Sequence, residues 1–599
     1  MGILLSIYDL FKPSPVTPIL SPVTLSNFSS STPGLTSDSF QSFPPDCIPD
    51  VLKFLDDDLD ALYSCLFVNR LWCRMTIPIL WSNPFRFGFH EKSAHLIHIY
   101  ISCLPENHLN HLIKKVNLNL PRLFKPIFNY PKYLKIFQDD QFIFAIRKWL
   151  SIIEGSNDLY QCKNVLLVHN LLSNYIFNNC VGISDLYSGD EDLSFPYYVN
   201  DISSFTGIER SLVKLNKFGY IFKSHNWNSS KSDYQSKIIC NLFNLLSNNS
   251  FNIKNLYFNI SHSYEENGDL IGVVKSMVDL IESQNNLQYL SFYEFWSPLD
   301  SLKIFNSLKS QSSTLRYLCF KDLSQLNHLL PILSFLKNLE TLHLDNCCLE
   351  NYDSSNSILK VLGSSKIKNL YCRDDRPNAN VEKFIKPIIE SSNINLKTIS
   401  LDLISNSLID VINFNCPNLT HLSLSILTTR NIQNLIYQEN PQFLLLNSLI
   451  NLLNSLKYLK HLHLHIDVLL SIFQSNDDFL RFSKSLPSSL LYFGIDFEIT
   501  SKRLGNLLKE CPASLKILSF QRALDLNDEC LKVLINYAKI NSNFRELRID
   551  IDFDLPNFSK DLLEKAQNYI PIIDKALPET YHMEKIILIR IKQKHLILL

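Results

Sequence analysis

From residue 253 onward one pattern returns along the chain, apolar-x-x-apolar-x-apolar, and self-similarity of this kind restricts the fold more than any single segment could. Its leading positions are Ile253, Leu287, Leu315, Leu339, Ile367, Leu396, Leu419, Leu459, Leu490, Leu515 and Phe544, in segments such as LKNLETLHLDNCCLE and CPNLTHLSLSI. Their spacing runs from 23 to 40 residues and averages about 29. In such a segment Leu342 and Leu344 point to one side of a short strand while His343 and Asp345 point to the other. Stacked copies then share a buried leucine ladder and expose the alternate residues. Between the strands the spacing turns helical, as in LIDVINFNC (408–416).

This period and pattern belong to leucine-rich repeats. The expected fold class is α/β: a short N-terminal helical hairpin followed by an irregular leucine-rich-repeat solenoid over 251–577, with a curved parallel sheet inside and helices outside. Residues 85–250 read as degenerate early repeats and a capping region, with HLIKKVNLNL (111–120) and CKNVLLVHN (162–170) as such early repeats and SGDEDLS (188–194) as a loop. Residues 578–599 read as a C-terminal tail or cap.

Ahead of the repeats, residues 1–42 form a leader rich in Ser, Thr and Pro, too poor in large apolar groups to offset the entropy of ordering. A helical hairpin is expected over 43–84. Ile48, Val51, Leu52 and Leu55 recur at helical spacing with Pro49 in the first turn, and DDDLD (56–60) interrupts the stripe. Leu59, Leu62 and Leu66 open a second helix, and Val68, Leu71, Trp72 and Met75 continue an apolar face until Pro78, where a turn is expected. Such a hairpin can cap a repeat array or present tryptophans to a partner.

The proline-initiated helix, the DL, the V-x-x-x-W and the closing L-W resemble an F-box over some forty residues. The resemblance places Pro45, Ile48, Leu52, Leu55, Leu59, Leu62, Val68, Trp72, Leu80 and Trp81 in adaptor binding. It departs from the family at Pro44, where leucine is usual, and at Asn69, where a small residue is common. An F-box followed by leucine-rich repeats resembles the substrate receptors of SCF-type cullin-RING ubiquitin ligases. The resemblance implies a non-catalytic subunit that binds a Skp-type adaptor through the F-box and a protein target through the concave repeat face. The alternative is a leucine-rich-repeat interaction scaffold unconnected to ubiquitination.

Composition narrows the function further. Lys plus Arg (57) nearly cancel Asp plus Glu (58), so no global charge draws the chain to nucleic acid or to an acidic membrane. The 14 cysteines include no C-x-x-C pair, and the expected compartment is cytoplasmic, nuclear or both. MGILLS fits N-myristoylation at Gly2, but a second anchoring signal is missing. With only 13 glycines there is no phosphate-binding loop, and no G-x-S-x-G elbow is present. FHEKSAHLIHIY (89–100) spaces His90 and His95 five apart, which rotates the second ring away from the first on a helix. We assign no catalytic residue, metal or cofactor.

KYLKHLHLHID is the segment richest in polar side chains on one strand face. His461, His463 and His465 alternate with leucines and project about 6.6 Å apart. His421 is expected beside them on a neighbouring strand, about 4.8 Å away. Such a set can chelate a metal, contact a partner or simply occupy exposed positions. His343, Asp402, His421, His461, His463, His465 and Asp496 are the candidate target-binding residues. Asp467, Asp496 and Asp550 add negative charge suited to a basic or hydrogen-bonding target.

Overall fold

Every one of the eleven leading residues is buried, two positions ahead of the first residue of a strand. The computed structural model describes residues 44–56, 58–86, 93–116, 123, 125–155, 164–190, 201–223, 229–261, 270–295, 298–323, 326–347, 365–373, 379–402, 405–426, 441–466, 472–520, 526–550, 558–570 and 572–576. The leader, the tail, His90 and Asp467 lie outside them. The chain divides into two units, at Leu215 and Asn216.

The first unit begins with three short helices, α1 (Ile48–Phe54), α2 (Leu59–Cys65) and α3 (Arg70–Leu80). Pro49 lies in the first turn of α1, and polar caps start the other two: Asp58 accepts the Ala61 N–H at 2.9 Å, and Asn69 accepts those of Leu71 and Trp72 at 2.9 and 3.0 Å. Capping accounts for Asn69, since its side chain satisfies two donors that a small apolar residue would leave open. Pro78 does not end the hairpin; it lies inside α3. The carbonyl it leaves without an N–H is that of Arg74, an exposed residue.

Three more expectations for this unit fail. Residues 111–116 end the helix α5 (Glu106–Val116), which follows α4 (Ser93–Ser102), and the rest of HLIKKVNLNL lies outside the described residues. CKNVLLVHN enters a helix, Val165–Asn179, because Val165, Val168, His169, Leu172 and Ile176 make a buried stripe at helical spacing. The strands of this unit are β1 (Ile136–Gln138) and β2 (Asp185–Asp190), paired in parallel. Ser188, Gly189 and Asp190 thus close a strand instead of opening a loop.

In the second unit the strands are β3 (Lys217–Lys223), β4 (Asn255–Ser261), β5 (Tyr289–Phe295), β6 (Tyr317–Leu323), β7 (Thr341–Asp345), β8 (Asn369–Arg373), β9 (Thr398–Leu401), β10 (His421–Ile426), β11 (His461–Ile466), β12 (Tyr492–Asp496), β13 (Ile517–Phe520), β14 (Glu546–Asp550) and β15 (Ile572–Ala576). Each pairs in parallel with the next. Leu342 lies beside Leu370 and Leu422 beside Leu462, so the ladder is continuous. From β3 to β6 one of its rows is aromatic: Phe258 stacks on Phe292 at 5.4 Å and Phe292 on Phe320 at 5.6 Å. Helices cover this side, as where Phe305 meets Phe320 edge-on at 5.4 Å. LIDVINFNC forms the expected helix, Asn406–Asn415, with Leu408, Ile409 and Ile412 buried. This is the leucine-rich-repeat architecture.

One hydrogen-bond device repeats at the start of the strands. The residue just before a strand offers its carbonyl to two successive N–H groups of the next repeat. Lys397 accepts from Thr420 and His421 at 2.9 and 3.0 Å, and Lys460 from Leu491 and Tyr492 at 2.8 and 3.0 Å. These bonds pin the register, which matters because a slip of one residue would turn the ladder outward.

Candidate functional site

The face of the second unit opposite its helices carries the polar residues picked out above, and the strand register aligns them in rows. His421 pairs with His461 and then Tyr492; Ser423 with His463 and then Gly494; Ser425 with His465 and then Asp496. The expected lateral pairing of His421 and His461 is present, with their rings stacked at 4.2 Å. The Tyr492 ring follows at 5.6 Å from His461.

In the middle row the Ser423 hydroxyl lies 3.3 Å from His463 Nδ1. The imidazole extends over Gly494, where a Cβ would overlap its Cδ2 carbon. Glycine is therefore what lets this ring lie flat along the sheet. In the third row Nδ1 of His465 is 2.6 Å from Asp496 Oδ2.

The alternation was read in the right phase, but open exposure does not follow from it. His421 is exposed and His461, His465 and Asp402 are half-buried, while His343, His463 and Asp496 are buried by their lateral neighbours. Asp345 pairs with Lys321 at 3.2 Å, and Asp496 is hydrogen-bonded to His465, so both carboxylates have partners within the face. Among the described residues no three His, Cys, Asp or Glu side chains are arranged to hold a metal ion.

Sequence reading missed a second cluster on the same face. Tyr257, Tyr289 and Tyr317 succeed one another on β4, β5 and β6, with rings 4.7 and 4.2 Å apart. The Tyr317 hydroxyl lies 3.3 Å from His343 Nδ1, and the His343 ring is 5.5 Å from that of Tyr371. Burial, reinforced by the neighbouring tyrosines and Cys319, holds the Tyr289 and Tyr317 phenols well above their ordinary pKa. Burial also pushes Tyr371 up to about 12. The signal was available: NLYF, LQYL, LRYL and NLYC put tyrosine at adjoining outward positions of successive repeats.

The hairpin sorts its apolar residues in two. Ile48, Leu52, Leu59, Leu62, Leu80 and Trp81 are buried. Trp81, only 1% exposed, packs at 4.1 Å from Tyr130 and 5.4 Å from Tyr100. These six build the unit's core and are not contact residues as they stand. Leu55 and Trp72 are half-buried, and Pro45 and Val68 are exposed. Phe54 (89% exposed), Phe67 and Leu71 join Val68 (58%) as large apolar side chains in water. The sequence pattern passed over Phe54 and Phe67 because they fall off the helical stripe.

The hairpin also starts the hydrogen-bond device. The Ser82 carbonyl accepts from Lys135 and Ile136, both at 2.9 Å, and the Lys135 carbonyl from Ser184 and Asp185 at 2.8 and 3.2 Å. A buried His–Asp pair sits in this unit, with His169 Nε2 at 2.7 Å from Asp139 Oδ1. Rings of Phe142 and Phe205 stand 5.5 and 5.7 Å from the imidazole, so the pair is sealed from any substrate. No helix among the described residues is long and apolar enough to cross a membrane.

No family model matches the sequence, and no curated protein matches it. Among solved structures, that of TLR13 in its complex with ssRNA13 is similar at 12% identity and a TM-score of 0.28, over 63% of this chain and 44% of that one. The match thus spans less than half the length of that neighbour.

Proposed function

We propose that this chain is the target-receptor subunit of an SCF-type ubiquitin ligase, docked on a Skp-type adaptor through its N-terminal hairpin and holding a protein target on the repeat face. The observation that carries this reading is the exposure of Phe54, Phe67, Val68 and Leu71 within the segment that resembles an F-box. Large apolar side chains gathered in water mark interaction sites. The repeat face supplies the second half of the reading, with tyrosines of the kind enriched where proteins meet. Catalysis belongs to the partner subunits, and this chain contributes proximity.

A scaffold with no link to ubiquitin is favoured by one observation, the Ser82 carbonyl that lets the hairpin start the repeats of its unit. The two roles use different side chains. Buried Leu52 and Trp81 serve the cap, and exposed Phe54 and Val68 serve the docking. Co-purification of the full chain with a Skp-type adaptor decides between them: docking predicts a complex that Phe54→Asp with Val68→Asp abolishes, and a scaffold predicts no complex with either chain.

A further inference from the structure

The near-zero net charge conceals a segregated one. The residue that precedes each strand is basic at Lys254, Arg316, Lys368, Lys397, Lys460, Lys516 and Arg545, and at the first six of these it carries the doubly accepting carbonyl. It lies between the buried leading leucine and the first strand residue, so its side chain is left at the rim of the sheet. All of these are exposed except Lys516, which is half-buried. Glu340, the one acid at this position from β4 to β14, bridges Arg316 at 3.5 Å and Lys368 at 3.2 Å.

From β9 to β14 the row reads Lys397, Thr420, Lys460, Leu491, Lys516 and Arg545, with no acid among them. Among the described residues none of these four cations has a carboxylate partner, and the neighbouring Glu546 is held by Arg548 at 2.6 Å. Acids stand at the other ends of the strands, where Asp345 pairs with Lys321 and Asp496 is hydrogen-bonded to His465. At about 4.8 Å per strand, the five steps from Lys397 to Arg545 make a track of about 24 Å. Neighbouring cations on it are closer than or near one Debye length, about 8 Å at physiological salt, so they act on a ligand together.

We propose that this rim binds an extended acidic polypeptide segment, the recognition element of the protein target. The track matches about seven residues of extended chain, at about 3.3 Å each. A single-stranded nucleic acid would need open ring faces on which to stack its bases. The adjoining rings offer few of them, because His421, His461 and Tyr492 are stacked on one another along the sheet. The proposal deepens the receptor reading and rests on it for the identity of the ligand as part of a target.

The test is fluorescence anisotropy of a labelled oligoglutamate peptide with the full chain. Binding should be present at low salt and weaken as salt rises. Lys397→Glu, Lys460→Glu and Lys516→Glu together should weaken it at least tenfold, the matching Lys→Gln set should fall between, and the Lys→Arg set should bind like the parent. Melting curves check that each variant folds. Absence of binding to the parent, equal binding by the Lys→Glu variant, or tighter binding of a labelled oligothymidylate overturns the proposal. The adaptor assay is independent: peptide binding without adaptor binding removes the ligase reading and leaves the rim, and the reverse result removes only the rim.

Discussion

Trp81→Ala separates a core tryptophan from an interface tryptophan. The side chain is 1% exposed and sits between Tyr130 at 4.1 Å and Tyr100 at 5.4 Å. Truncating a buried tryptophan costs about 3–5 kcal/mol. The chain has two units, so a single global unfolding curve would mix them, and local hydrogen exchange reads the affected unit by itself. At a factor of ten for about 1.4 kcal/mol, amides in α4 and in the helix Asp139–Glu154 should exchange two to four powers of ten faster. Trp81→Phe should cost far less: the indole N–H is buried with no hydrogen-bond acceptor among the described residues, so a ring without it loses mainly volume. Parent-like exchange in Trp81→Ala would refute the packing argument and return Trp81 to the docking surface.

Gly494→Ala should destabilise the second unit by about 1–3 kcal/mol, since the new methyl overlaps His463 and drives its ring off Ser423. Adding His463→Ala should recover most of the loss, and a double variant no more stable than the single one would show that the clash is not the cause. Burial pushes the Cys416 thiol up to about 12, so at pH 8 it stays protonated in the folded chain, whereas Cys47 is exposed. Iodoacetamide followed by peptide mass spectrometry should label Cys47 and spare Cys416 until the chain unfolds; equal rates would contradict that burial. Because the folded thiol holds its proton to higher pH than an unfolded one, its contribution to stability is complete below pH 9, the ordinary thiol value, and declines as pH climbs from there toward 12.

The repeats from β4 to β14 were legible because leucine or isoleucine leads nearly every one and marks the phase of the strand. The three earlier strands were not. They are led by the buried Leu134, Ile183 and Leu215, but Asp139 and Ser188 stand where a third apolar residue completes the pattern elsewhere, and in β3 Phe218 and Tyr220 replace both of the later leucines. An aromatic ladder buries as well as an aliphatic one and does not spell the same motif. The stretch 165–170 misled for a related reason: a short apolar run fits strand and helix alike, and only its continuation to Ile176 shows the helical period. At the site, strand phase gave the rows of His421, His461, His463 and His465. It could not give burial, which depends on how large the lateral neighbours are. The basic rim was hidden by the same limit, since a composition sum erases a segregation that only strand register reveals.

Hydrogen exchange of the full chain with and without a purified Skp-type adaptor tests the receptor reading most directly. Docking through the exposed side of the hairpin predicts slowed exchange across α1 and from Tyr63 to Trp72, with the repeat strands unchanged, and loss of that protection in Phe54→Asp with Val68→Asp. No protection anywhere, or protection confined to the strands β3 to β15, would contradict it.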